Sequence, residues 1–274
     1  MSITYEAVLN VSEHSVQFLS RLLHEERLRR GTRKNARALG TFKQAVLVLR
    51  WFLDDVRMAQ LARDNGISTS TAYDYRDEAI AVLAARKPLL RNALLAAKAA
   101  GHTHVIVDGT LIQTDRISTP GPTKGVDLWW SGKHKHHGGN IQVVSAPDGW
   151  PLWTSDVRPG REHDMTAARA DSDLLDLIAL WVGDGKMALA DLGYEGEPET
   201  IKIPFKKPKG GQLTEDEQAF NAVHGAIRCL GERANSLLKT TYKVLRRYRG
   251  CPWRLGKIVA AALVLLHVEH NRTT

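Results

Sequence analysis

Three carboxylates in this chain stand where a hydrolytic metal site could be built. Asp108 closes the β-branched run Thr103-His104-Val105-Ile106-Val107 and is followed by Gly109-Thr110. Asp191 closes a second apolar run, Met187-Ala188-Leu189-Ala190, and is followed by Leu192-Gly193-Tyr194. Either acid alone is equally a turn former or a helix cap. Two of them on separate strand ends, each with a small residue close behind, point to one shared site. Glu232 sits in the helical pattern Arg228-x3-Glu232-x6-Lys239. At about 3.6 residues per turn, Arg228 and Glu232 share a face and Lys239 returns to it two turns on. A lone acid among cations is ordinarily an ion pair, but it also suits a metal ligand whose neighbours hold phosphate. Mg²⁺ is a hard ion that takes oxygen ligands and keeps several waters. Two such ions about 3.5–4 Å apart can activate an attacking oxygen and stabilise a leaving one. Two Asp and one Glu supply the negative charge to hold both beside a polyanion.

Those side chains need strands and helices to carry them, and both patterns are present. Up to about residue 100, Gly and Pro are scarce and apolar residues recur at helical spacing, as in Ala45, Leu47, Val48 and Phe52. From Gly101 the character changes to short β-branched runs, Thr103 to Val107 and Asn140 to Val144, separated by turn signals such as Pro147-Asp148-Gly149. A helical stretch is expected from about His163 to Leu180 and a short strand from Met187 to Ala190. The tail reads as helical again from about Leu213. The expected organisation is an all-helical domain over 1–100 and an α/β domain over 101–274.

Inside the first part, residues 56 to 84 have the layout of a helix-turn-helix. The first helix would bury Met58, Leu61 and Ala62, and Gly66 can take the positive φ of a tight turn. Ser68 or Thr69 can cap the second helix, whose early residues Thr69, Ser70, Tyr73 and Arg76 would be exposed. In this motif such residues meet base edges. A plain helical hairpin would look the same, and Asp74, Asp77 and Glu78 on the second helix count against a DNA-facing role.

The chain has 274 residues and a formal net charge of +8, which favours an acidic partner. The excess is concentrated. Arg27, Arg29, Arg30, Arg33, Lys34 and Arg37 follow one another with no acid between them, and Glu232 is the sole acid from Asn221 to Arg254 among many Lys and Arg. Cys229 and Cys251 are the only cysteines and form no CxxC pair, which argues against a disulfide framework or a cysteine zinc site. The N-terminus lacks the basic and apolar blocks of a signal peptide, and the run Ile258 to Leu266 is far short of the roughly 20 residues of a membrane span. A soluble protein of the cytoplasm is expected, without membrane contact.

From about Leu39 onward the chain resembles DDE transposases of the bacterial insertion-sequence-five type, the group that includes eukaryotic Harbinger-like endonucleases. The stretches that carry the resemblance are Val107-Asp108-Gly109-Thr110, Trp130 to Asn140 (WSGKHKHHGGN), Val157 to Asp164 (VRPGREHD), Ala190 to Gly196 (ADLGYEG) and Gly231 to Lys239 (GERANSLLK). Each is weak alone; together, and in this order, they are specific. The resemblance implies an RNase H-like mixed sheet flanked by helices, with Asp108, Asp191 and Glu232 as catalytic triad and ligands of two Mg²⁺ ions, Mn²⁺ being a substitute. It matches Lys239 and Arg228 to DNA-contacting positions, with Arg233 beside them, and places Lys133 and Lys135 on a strand near phosphate. It implies a nucleoid-associated bacterial enzyme that binds terminal inverted repeats and target DNA as a homodimer or larger assembly, cleaving and then joining strands. The related motif often has a tyrosine three residues before the arginine, where this chain has Gly225. Asp164 falls in the family's His-Asp signature and rivals Asp191 as second carboxylate; Asp191 is preferred because it follows a strand, whereas Asp164 starts a helix. His134 and His136 would share one strand face, but without a nearby Cys or spaced fourth ligand a zinc site is disfavoured. Trp129, Trp130, Trp150 and Trp153 read as core or edge-packing residues, with base stacking by one of them as the alternative. Two alternatives keep the same DNA-binding helices: a domesticated, non-catalytic DNA-binding protein, and a helix-turn-helix regulator.

Overall fold

The structure, a computed structural model, describes residues 8–197 and 199–274. The opening stretch weighed above as a leader includes residues 1–7, which lie outside these. The helices are α1 (Glu13–Arg29), α2 (Thr41–Asp54), α3 (Met58–Asp64), α4 (Thr69–Ala84), α5 (Leu90–Ala99), α6 (Asp164–Ala170), α7 (Leu174–Gly183), α8 (Glu215–Thr241) and α9 (Leu255–Glu269). The strands are β1 (His104–Thr114), β2 (Trp130–Ser131), β3 (His136–Ser145), β4 (Pro151–Thr154), β5 (Arg158–Pro159), β6 (Met187–Leu189) and β7 (Arg247–Tyr248).

β1 is the axis of a mixed α/β sheet. β3 pairs antiparallel with it from Ile106↔Ser145 to Gln113↔Gly138, and β4 pairs antiparallel with β3. On the opposite edge β6 runs parallel to β1, and a parallel bridge from Leu189 to Lys202 extends the sheet. Successive antiparallel strands followed by a parallel strand beside the first are the arrangement the expected RNase H-like sheet requires. Side chains alternate across a strand, so α8 covers the face of β1 that carries Ile106, Asp108 and Thr110. Gly231 makes this close approach possible: a Cβ there would lie 2.5 Å from Ile106 Cγ2. The other face receives Asp164, the first residue of α6, against Gly109.

Several local expectations change. β1 does not stop at Asp108 but continues to Thr114, because β3 is long enough to satisfy the ladder through Gln113; Asp108 is therefore mid-strand. The helix expected from His163 to Leu180 is two helices. Asp171 breaks it by accepting from the backbone N–H groups of Asp173 and Leu174 at 3.3 and 3.1 Å, which caps α7. Lys133, His134 and Lys135 do not lie on a strand. They form the turn between β2 and β3, with Lys135 at φ +58° and its N–H donating to Ser131 O at 2.8 Å. α8 starts close to its expected place, with Thr214 and Glu217 forming a reciprocal capping box.

In the helical part α3 and α4 make a tight hairpin. Met58, Leu61 and Ala62 are buried, Gly66 takes φ +63°, and Ser68 Oγ accepts from Thr71 N at 3.1 Å. Thr69, Ser70 and Tyr73 are exposed. Arg76 is not: it is 4% exposed, with its guanidinium over the rings of Tyr73 and Trp51 and 2.6 Å from Asp77. Cation–π contact on two faces plus a carboxylate holds that arginine inside the protein. The basic run from Arg27 is also partly internal. Arg27 donates to Leu39 O and Gln44, and Arg37 pairs with buried Glu78. The apolar run of α9 is buried against α4, α1 and β4. Among the described residues no helix is long and apolar enough to cross a membrane. Trp129, Trp150 and Trp153 are core residues.

Candidate active site

α8 lays one stripe of polar side chains along β1. Arg228, Glu232, Asn235 and Lys239 are spaced four, three and four residues apart, the interval that keeps side chains on one helix face. Buried Ala234 and Leu238 beside them press the helix onto the sheet. Asn235 Nδ2 donates to Asp108 Oδ2 at 2.7 Å, and Lys239 Nζ donates to Thr110 Oγ1 at 2.7 Å and to Leu111 O at 3.1 Å. Arg228 Nη2 pairs with Glu232 Oε1 at 3.0 Å, leaving the Glu232 side chain 62% exposed. Asp191 follows β6 and caps the short turn Leu192–Tyr194, accepting from Gly193 N at 2.8 Å.

Asp164 joins this group from the opposite face of the sheet, through two positions that have no side chain. A Cβ on Gly109 would stand 2.1 Å from Asp164 Oδ1, and one on Gly193 would stand 3.2 Å from Asp164 Oδ2 and 2.8 Å from Asp191 Oδ1. Glycine at both places lets three aspartates gather near one end of β6. Beneath them runs a buried polar chain. Asn140 Nδ2 donates to Asp164 Oδ1 at 2.8 Å, Gln142 Nε2 donates to Asn140 Oδ1 at 3.0 Å, and the Tyr194 hydroxyl donates to Gln142 Oε1. Asn140 and Gln142 share a strand face because they are two residues apart.

The electrostatics tie the four acids together. Burial first, then Asp191 and Asp164, raise the Asp108 carboxyl to about 6, with Arg228 opposing them and Glu232 adding a smaller upward push. Tyr194, fully buried, is held well above its ordinary range by burial and then by Asp164, Asp108 and Asp191. Burial lowers Lys239, and Asp108 opposes that. The site therefore carries more negative charge than its own cations neutralise.

Beside it opens a cleft of about 670 Å³, whose wall includes Lys133, His134, Arg161, Asp164, Lys239 and Arg246. The turn residues Lys133 and His134 thus face the helix residue Lys239 across the space, while Lys135 is exposed outside the cleft lining. Arg233 leans the other way, toward the carbonyl of Asp148. Thr69, Ser70 and Tyr73 lie on α4, outside the lining of this cleft. Sequence reasoning passed over Asn235, Asn140, Gln142 and Tyr194. Asn235 was detectable, three residues from Glu232 on the same helical face. The other three depend on register across strands.

Among the described residues, no three His, Cys, Asp or Glu side chains stand as a ready cage for an ion. Each carboxylate is held by its own donor: Asp108 by Asn235, Asp164 by Asn140, Asp191 by Gly193 N–H and Glu232 by Arg228. The donor set nevertheless fits a hard divalent cation. It is made of carboxylate oxygens, and a cation would offset both the burial and the repulsion that raise Asp108.

A family model described as DDE superfamily endonuclease matches residues 107–267. The probable transposase for insertion sequence element IS702 of Microchaete diplosiphon is 25% identical over 222 residues, covering 78% of this chain and 75% of that protein. Among solved structures, the Mos1 strand transfer complex shares 11% identity at a TM-score of 0.22, covering 89% of this chain and 84% of that one. The Mos1 transposase paired-end complex with left transposon end shares 11% identity at a TM-score of 0.21, covering 87% and 85%.

Proposed function

The chain belongs to the DDE superfamily endonucleases, and from that premise we propose that it is a transposase that cuts and rejoins DNA at the ends of its own insertion sequence. The observation that carries the reading is Asp108: a carboxyl raised to about 6 by burial first and then by Asp191 and Asp164, and held by Asn235 from the helix stripe that also carries Arg228, Glu232 and Lys239. In this reading Asp108, Asp191 and Glu232 would hold the divalent metal, proposed to be Mg²⁺ with Mn²⁺ as substitute, and Asp164 is the alternative second carboxylate. When bound, the metal pair supplies an activated attacking oxygen and charge compensation for the leaving one.

The chain's own residues do the rest. Asn235 fixes one oxygen of Asp108. Lys239 is anchored at the cleft wall, and Lys133 faces it, so a phosphate strand can lie between two cations. Arg228 neutralises Glu232 until DNA arrives, after which its guanidinium is free for phosphate. Water attacks the phosphodiester at the element end and the P–O3′ bond breaks, leaving a 3′-OH. That hydroxyl then attacks a target phosphodiester and displaces its 3′ oxygen. No covalent bond to the protein forms.

Residues 1–100 are proposed as the DNA-binding part, with α3–α4 acting as a helix-turn-helix whose Thr69, Ser70 and Tyr73 meet the inverted repeat. Residues 101–274 are proposed as the catalytic part. Joining two ends calls for a homodimer or larger assembly, working on DNA in the bacterial cytoplasm. The test is metal-dependent nicking of a duplex carrying the inverted repeats that flank its reading frame. Wild type should nick it in Mg²⁺, and Asp108→Asn should bind it equally well without nicking. Full activity in the variant would remove Asp108 from the chemistry; binding by wild type without any metal-dependent product would favour a non-catalytic DNA-binding protein.

A further inference from the structure

The cleft beside Asp108 and the start of α4 share a wall. The segment from Val244 to Arg249 follows α8 and carries β7, which pairs with the end of β1. On one side Arg246 lines the active-site cleft with Lys239. On the other, Val244, Tyr248 and Arg249 line a second hollow of about 300 Å³ whose far side is Arg57 with Thr69 and Tyr73 of α4. Arg246, Arg247, Arg249 and Arg57 are all exposed. Arg246 and Arg249 stand three positions apart, so their Cα atoms are no more than about 10 Å from each other, which is about three phosphate steps of one DNA strand.

α2 and α4 have little freedom to swing away from this wall. Lys243 pairs with Asp54 at 2.8 Å, Arg249 with Asp55 at 3.0 Å and Arg254 with Asp77 at 3.1 Å. Trp51 meets Tyr248 edge-on, and Phe52 meets Tyr242. Buried α9 packs along α4, so the apolar core runs between the two parts without a linker. The exposed ion pairs contribute little to holding the parts together, and their arginines can exchange an aspartate for phosphate at small cost. The aromatic and aliphatic contacts are what fix the geometry.

We infer that Val244–Arg249 is a phosphate-tracking ridge that leads one DNA duplex from α4 to the adjacent cleft, so that each chain cuts the same duplex its own hairpin holds. This rests on the reading of α3–α4 as the DNA-holding element. A continuous cationic wall between two sites that both need phosphate is best used by one continuous backbone. A rigid hairpin that shares this short ridge with the cleft of its own chain is badly placed to deliver DNA to a cleft on another chain.

The experiment mixes two full-length variants on a duplex carrying the inverted repeat that flanks the reading frame, in Mg²⁺. One variant is Asp108→Asn; the other combines Ser70→Ala with Tyr73→Ala. Gel shift should first show that Asp108→Asn binds like wild type and that the double variant binds about ten-fold or more weakly. The mixture should then cut no better than either variant alone. Cutting restored well above both would overturn the inference, because a hairpin on one chain would be serving the cleft of another. Wild type that fails to cut, or a double variant that binds normally, would instead refute the parent reading and take the inference with it. A second measurement needs no catalysis. A phosphate footprint of the Asp108→Asn chain should be continuous from the α4 contacts to the cut position, and Arg246→Ala with Arg249→Ala should open a gap between them. Two protected patches separated in the unaltered ridge by more than a helical turn, about ten base pairs, would overturn it.

Discussion

Replacing Asp108 by Asn should make the metal-free protein more stable at neutral pH, although it removes the central carboxylate. The folded state disfavours ionised Asp108, whose carboxyl is moved from 3.8 to about 6 by burial and by Asp191 and Asp164. Below 3.8 the group is protonated in both folded and unfolded chains and nothing is lost. As pH rises from 3.8 toward 6, the unfolded chain ionises while the folded one keeps its proton, so stability falls. Above that window the whole penalty persists, on the order of 3 kcal/mol. Asn keeps an oxygen that can still accept from Asn235 Nδ2, so the hydrogen bond at 2.7 Å need not be lost. A penalty of that size corresponds to roughly 5–10 °C in melting temperature for a chain this long. Calorimetry in EDTA near pH 7.5 should therefore find the variant melting higher by about that amount. Near pH 4.5 the gap should shrink to roughly a third. Adding Mg²⁺ should reverse the order, since binding to the folded state alone stabilises wild type by mass action and the variant has lost a ligand. If wild type in EDTA near pH 7.5 is as stable as the variant, or if both respond equally to Mg²⁺, the electrostatic account of this site is wrong.

Lys239→Ala should weaken binding to any duplex, specific or not, and reduce the salt slope by about one ion, read from gel shifts over a range of salt concentrations. Gly231→Leu should push α8 off Ile106, cost about 1–3 kcal/mol in chemical denaturation and lower nicking through displaced Glu232. Tyr194→Phe leaves buried Gln142 without its donor, so it should cost about 1–3 kcal/mol and disturb the Asn140–Asp164 contact; an unchanged denaturation midpoint would show the chain from Tyr194 to Asp164 to be dispensable. Ser68→Ala removes the cap of α4 and should cost about 1 kcal/mol, with a matching loss of affinity for the inverted repeat.

What the sequence determined alone was local. The alternating and helical periods of apolar residues marked the strand core around Ile106, the short strand before Asp191, the helix bearing Glu232 and the α3–α4 hairpin with its Gly66 turn and Ser68 cap. These are decided within a few residues, by sterics, capping and the need to bury one face. The stripe from Arg228 to Lys239 was legible for the same reason, and Asn235 belonged to it. Tertiary structure decided everything that depends on which surfaces meet. Strand pairing carried β1 past Asp108 to Thr114. Two aromatic faces and a carboxylate drew Arg76 inward, against its expected exposure. The missing side chains of Gly109 and Gly193 admit Asp164 from the far side of the sheet, and a glycine in sequence says only that space exists, not what fills it. The buried chain from Tyr194 through Gln142 and Asn140 joins segments about fifty residues apart, and the shared wall of the two hollows arises where α9 and β7 fold back on the helical part. Such contacts are set by the register and crossing of distant elements, and no pattern along the chain encodes them one residue at a time.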